Sequence, residues 1–228
     1  MNDELFENLR NRLMAEIAAE AVLTAGHTGI AAFSERVMRV IGNMPRHEFV
    51  PAELQPYAYL NRPLPIGYDK TISQPFIVAL MTDLLDLQAD DVVLEIGAGA
   101  GYQAAILAEL AQRVYSVDII EELALGADRR LRRLGYENVQ IKIINGYYGW
   151  PEHAPYDKIM VTAATDLIPT PLLAQLKPGG RLVIPTGIPE KQALTLVEKS
   201  PTGSIAAREI LPVRFSELED PGETAGVA

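Results

Sequence analysis

The chain has 228 residues, enough for one domain of ordinary size with a substantial core. A net charge of −10 argues against a nucleic-acid-binding surface, which would be strongly basic. The chain has no cysteine, which excludes disulfides, zinc–thiolate sites and thiol nucleophiles, and His27, His47 and His153 are too scattered to suggest a metal cluster. Residues 1–4 lack the basic and apolar character of a signal peptide, and no apolar run approaches the ~20 residues of a membrane span, so the expected location is the cytoplasm.

Leu5, Leu9, Leu13 and Ile17 recur at spacing four and predict an amphipathic helix over residues 4–22. Residues 26–29 read as a turn, and residues 34–42 as a short helix capped by Ser34. The stretch 44–51 is too proline-rich for a helix interior, and 51–73 continues as extended, Pro- and Gly-punctuated chain. Ordered loops of that length are usually functional. Helix returns at 74–87, with Pro75 in its first turn and Ser73 placed to cap it.

From Val92 onward, strands at 92–96, 114–117, 139–144, 158–163 and 181–185 alternate with helices at 102–110 and 121–134. That alternation predicts an α/β fold, a doubly wound and mostly parallel sheet with helices on both faces. Segments 193–198 and 205–213 form a hairpin that closes the sheet with a late antiparallel strand. One domain is expected over 1–217, opened by a helical lead-in over 1–35, and 218–228 reads as a disordered acidic tail.

The apolar strand 92–96 runs into Gly97, Gly99 and Gly101, spaced G-x-G-x-G, and then into a helix. Glycines at such a turn let the backbone pass close to a ligand, and the helix N-terminus offers free N–H groups. The second strand delivers Asp118 about 20 residues on, where doubly wound folds place the carboxylate that holds a ribose. A nicotinamide dinucleotide fingerprint is G-x-G-x-x-G, with its third glycine one position later. Glu95 before the glycines suits a cationic ligand such as S-adenosylmethionine, with its sulfonium and ammonium.

With these motifs placed, the chain resembles the protein-L-isoaspartate O-methyltransferase family. The matching blocks are Pro45-Arg46-His47-Glu48-Phe49-Val50-Pro51, Pro63-Leu64-Pro65-Ile66-Gly67-Tyr68, Thr71-Ile72-Ser73-Gln74-Pro75 and the run 94–103. Gly146-Tyr147-Tyr148-Gly149-Trp150, Lys177-Pro178-Gly179-Gly180-Arg181-Leu182 and Leu211-Pro212-Val213-Arg214-Phe215 complete the set. Four positions depart from the family pattern. Ile144-Asn145-Gly146 stands for G-D-G, Ala98 and Ala100 remove two hydroxyls from the glycine loop, Asp69-Lys70 replaces Gly-Gln, and Ser216-Glu217-Leu218 replaces Val-Pro-Leu.

The resemblance implies a Rossmann-like, S-adenosylmethionine-dependent carboxyl methyltransferase that repairs isoaspartyl proteins or peptides, with no nucleic acid, membrane or metal involved. It assigns Ser73 to orient the acceptor carboxylate, against the alternative that Ser73 only caps a helix. Thr71, His47 and Arg214 join the acceptor side, though the residues themselves favour His47 as tying down irregular backbone, and Thr71 reads equally as strand-end packing and Arg214 as a solvated surface residue. Asn145 takes the position where the family's aspartate accepts the adenine amine, beside Gly146. Trp150 and Tyr148 read as core or lid packing. Two alternatives stay open: a relative that methylates another carboxylate, and a binding module with weak or lost catalysis.

Overall fold

A computed structural model describes residues 3–218, with side chains from Phe6 onward. Helix α1 (Asp3–Thr28) buries Phe6, Leu13, Ile17 and Ala21, close to the predicted stripe. It runs through Gly26, where the sequence suggested a turn, and stops at Gly29. Gly29 sits at φ 74° and its N–H bonds the Ala25 carbonyl, a glycine stop in the left-handed region. Helix α2 (Glu35–Asn43) begins as expected, with the Ser34 side chain accepting from the Val37 N–H.

The long loop expected over 51–73 is structured. After 3-10 turns at Arg46–Phe49 and Ala52–Tyr57, strands β1 (Leu64–Gly67) and β2 (Lys70–Ile72) form an antiparallel hairpin. Its two turn residues, Tyr68 and Asp69, both lie at φ 54°, the left-handed geometry that a two-residue hairpin turn requires. Of the Asp69-Lys70 departure, Asp69 is therefore a turn residue, whereas Lys70 opens β2. Helix α3 (Pro75–Leu85) follows directly.

The remaining elements are β3 (Val92–Ile96), α4 (Tyr102–Leu110), β4 (Arg113–Asp118), α5 (Glu121–Arg133), β5 (Val139–Ile143), β6 (Tyr156–Val161), α6 (Thr170–Gln175), β7 (Leu176–Thr186), β8 (Gln192–Lys199) and β9 (Ile205–Val213). They form a seven-stranded sheet in the order β5-β4-β3-β6-β7-β8-β9. Strands β3 to β7 pair in parallel, whereas β8 runs antiparallel to β7 and β9 antiparallel to β8. Strand β7 starts five residues earlier than the sequence suggested, because Pro178, Gly179 and Gly180 are carried within it across a bulge opposite Tyr156 and Lys158.

From β3 the chain steps outward to β4 and β5, then crosses back to β6 on the other side. That reversal leaves a crevice at the carboxyl ends of the central strands, where doubly wound sheets bind ligands. Its floor is rigid: Val93, Leu94 and Ile96 of β3 and nearly every residue of α4 are buried. The expected tail lies outside the described residues, apart from Leu218.

Candidate active site

A cleft of about 950 Å³ opens at that reversal, the upper end of the range for small-molecule sites. One wall is made by the ends of β3 and β4 and by Asn145, Gly146 and Thr162. A second wall carries Lys70, Thr71, Ser73 and Gln74, and residues 211–218 complete the lining.

On the first wall, Gly97 turns away from β3 at φ 94°, and a Cβ there would run into the Thr162 hydroxyl. That hydroxyl donates to the carbonyls of Ile96 (2.9 Å) and Gly97 (2.8 Å) and pins the loop. Asp118, 8% exposed at the end of β4, accepts from the Gly99 N–H (2.8 Å) and the Ile120 N–H (2.9 Å). A carboxylate has about four lone-pair sites, so two remain for hydroxyl donors. The Asn145 carbonyl oxygen accepts from the Tyr147 N–H at 2.9 Å, capping the 3-10 turn Gly146–Tyr148.

Two of the expected cofactor residues stand elsewhere. Glu95 is fully buried between β3 and β4, hydrogen-bonded to the Ser116 hydroxyl, with its other oxygen unpartnered. Burial above all, with the Asp118 charge adding, pushes its carboxyl up to about 8, while the Ser116 bond opposes. Glu95 thus lies behind the cleft and outside its lining. Gly101 is also off the cleft. It opens α4 at φ 85°, where a Cβ would crowd Ala127 at 3.2 Å and Leu131 at 3.3 Å on α5, so it is a packing glycine.

On the second wall, Ser73 and Thr71 reach the cleft together. Ser73 does not cap α3: the cap position is Gln74, and the Phe76 N–H is held by the Asn61 carbonyl oxygen at 3.0 Å. Among the described residues no group hydrogen-bonds the Ser73 hydroxyl. Its carbonyl accepts from Arg46 Nη2 at 2.8 Å, while Arg46 Nε donates to the Ala58 carbonyl at 2.9 Å. Arg46 is fully buried with its guanidinium 4.8 Å from the Tyr102 ring, and burial pulls its pKa down. It thus braces Ser73 against the start of the cofactor-side helix. Sequence reasoning named Arg46 only as part of a motif.

Arg214 lines the cleft from the exposed segment after β9. His47 does not. Its Nδ1 pairs with the Tyr59 hydroxyl at 2.7 Å and its ring stacks on Phe6 at 4.0 Å, so it ties down the 3-10 turns. Trp150 is core, packed edge-on against Tyr115, whereas Tyr148 is exposed. Glu20 of α1, which sequence reasoning missed, also faces the cleft. Among the described residues no group of three or more His, Asp or Glu is placed to hold a metal, and no helix is long and apolar enough to cross a membrane.

The family model "Protein-L-isoaspartate(D-aspartate) O-methyltransferase (PCMT)" matches residues 18–222. The chain belongs to this family. The methyltransferase is 60% identical over 220 residues to protein-L-isoaspartate O-methyltransferase 1 of Polaromonas sp. strain JS666, covering 96% of this chain and 93% of that relative. A protein of the same name from Cupriavidus necator is 55% identical over 217 residues, covering 95% of this chain and 84% of the relative. A solved protein-L-isoaspartate O-methyltransferase matches with a TM-score of 0.78 at 30% identity, covering 92% of this chain and 66% of that one.

The fold is shared by a Plasmodium falciparum protein solved with S-adenosyl-L-homocysteine, at TM-score 0.72 and 21% identity over 89% of this chain and 96% of that one. The methyltransferase takes its methyl from S-adenosylmethionine. The wall made by Gly97, Gly99, Asp118 and Asn145 fits that cofactor, with a carboxylate free to accept from ribose hydroxyls and Ile96, Val117 and Leu123 offering apolar contact.

Proposed function

We propose that this enzyme methylates the α-carboxylate of L-isoaspartyl residues in damaged proteins or peptides, with cofactor and acceptor meeting in the one cleft. The observation that carries the reading is the shared lining: Ser73 and Thr71 face the same space as Gly97, Gly99 and Asp118. When bound, S-adenosylmethionine supplies a methyl already activated by a positive sulfur. The acceptor carboxylate is ionised at neutral pH and needs no general base, which fits a cleft without a catalytic dyad. The protein's task is to hold the acceptor oxygen in line and to exclude water.

Ser73 suits that task because its hydroxyl is a neutral donor. A direct ion pair would hold the carboxylate's electrons and blunt its nucleophilicity. The charge of Arg46 is kept one carbonyl away, on the backbone of Ser73. Thr71 offers a second hydroxyl, and Arg214 at the exposed rim meets the flanking peptide. Asp118 accepts from the ribose, and Asn145 and Gly146 line the adenine end.

The net charge of −10 supports a peptide rather than a nucleic acid as acceptor, and the setting is the cytoplasm. The decisive experiment compares transfer of a labelled methyl group to an isoaspartyl peptide and to its aspartyl twin. Strong labelling of the first alone is expected, and equal or absent labelling would overturn the assignment.

A further inference from the structure

The lead-in helix contributes a carboxylate to the acceptor wall. Glu20 lies two turns before the end of α1, half-buried, and faces the cleft beside Thr71, Ser73 and Gln74. It accepts from Asn61 Nδ2 at 2.7 Å and from Gln74 Nε2 at 3.1 and 3.2 Å. These partners lie 41 and 54 residues away in sequence, so the contact joins three separate segments.

The hydrogen bonds fix an orientation. Because Glu20 takes the amide nitrogen of Asn61, the carbonyl oxygen of Asn61 is turned toward the Phe76 N–H. Phe76 offers the first backbone donor of α3, since Pro75 before it has none. The helix is therefore capped from a distance, by a side chain that Glu20 aims. A negative group here also complements the positive end of the helix dipole. Ser73 stands one residue before the Gln74 cap, held through its carbonyl by Arg46 on one side and through its neighbour by Glu20 on the other.

We propose that Glu20 is a positioning residue for methyl transfer, clamping Gln74 and Asn61 so that the Ser73 hydroxyl is presented to the acceptor carboxylate. The inference rests on the assignment of Ser73 to the acceptor. Glu20 acts through its neighbours and touches neither bond being made nor bond being broken.

The test compares wild type, Glu20→Ala and Glu20→Gln. At saturating S-adenosylmethionine and isoaspartyl peptide, kcat of Glu20→Ala should fall roughly tenfold, about what a misplaced orienting group costs. Affinity for S-adenosylhomocysteine should change less than about twofold, because the clamp lies on the other wall. Glu20→Gln keeps one acceptor oxygen and should recover to within about threefold of wild type. Adding Asn61→Ala to Glu20→Ala should lower kcat little further, since both act in one network.

Hydrogen exchange on the same proteins should show faster exchange at the start of α3 in Glu20→Ala, whatever the turnover. A fall in thermal stability with unchanged kcat, or unchanged exchange at the Phe76 amide, would overturn the proposal. Should wild type leave the isoaspartyl peptide unlabelled, the substrate reading fails, and the exchange experiment still decides the clamp.

Discussion

Replacing Ser73 with alanine removes a single hydroxyl that has no partner among the described residues. A hydrogen bond to a charged group contributes about 1.5–3 kcal/mol. If it forms only with the reacting carboxylate, its loss lowers kcat by roughly ten- to a hundredfold. No competing loss of stability is expected. Ser73 precedes the cap of α3, the Phe76 N–H is held by Asn61, and Arg46 binds a carbonyl that alanine retains. Unfolding free energy should therefore stay within about 0.5 kcal/mol of wild type.

Initial rates with labelled S-adenosylmethionine and an isoaspartyl peptide read the first quantity, urea unfolding the second, and calorimetry with S-adenosylhomocysteine a cofactor affinity that should not move. Ser73→Asp should be equally stable and still less active, because its charge repels an anionic acceptor. An alanine variant with the wild-type rate, or one whose rate loss is matched by lost cofactor affinity, would refute the reasoning.

Arg46→Met strands the carbonyls of Ala58, buried, and Ser73, half-buried, and should cost about 2 kcal/mol, read as a lower urea midpoint. An unchanged midpoint would show that the guanidinium braces nothing. On the proposed ribose contact, Asp118→Ala should raise the cofactor dissociation constant at least about tenfold, with a smaller effect on saturated rate, since the carboxylate also holds the Gly99 N–H. Normal cofactor binding would reduce Asp118 to a loop anchor.

Glu95 should impose a pH dependence on stability. Its carboxyl titrates near 8 when folded against the ordinary 4.5, so across that window the folded chain holds a proton that the unfolded chain has lost. The contribution is whole below 4.5, declines by up to about 1.4 kcal/mol per pH unit as pH rises, and levels off above 8. Glu95→Gln should remove that slope in urea titrations between pH 5 and 8, to about the limits of the assay. Parallel wild-type and variant curves would contradict the buried, neutral carboxyl.

The sheet was legible wherever a short apolar run met turn residues: 92–96 and 102–110 emerge as read, because both are buried almost throughout and bounded by glycine or a polar step. Signals failed where the deciding partner is remote in sequence. Ser73 resembles a cap, yet the cap comes from Asn61 in another segment, itself aimed by Glu20 on α1. Tyr68 and Asp69 carry no glycine to announce the left-handed hairpin turn that they make. Glu95 and Gly101 share a motif with Gly97 and Gly99, but strand alternation and helix packing send them away from the cleft. Most residues that the resemblance named line one cleft, while burial separates its lining from the scaffold behind it.

The cleft takes wall residues from both ends of the described chain. Glu20 enters from α1, whereas the segment after β9 arrives last and is stitched down late: Ser216 accepts from the Ala164 N–H at 2.8 Å and Leu218 donates to the Ala164 carbonyl at 2.7 Å. Gln192 grips Phe215 through both its backbone groups, at 2.7 and 3.2 Å. The side of the cleft is therefore held by remote contacts as much as by local ones, so a change at Ala164 or Gln192 reaches the cleft.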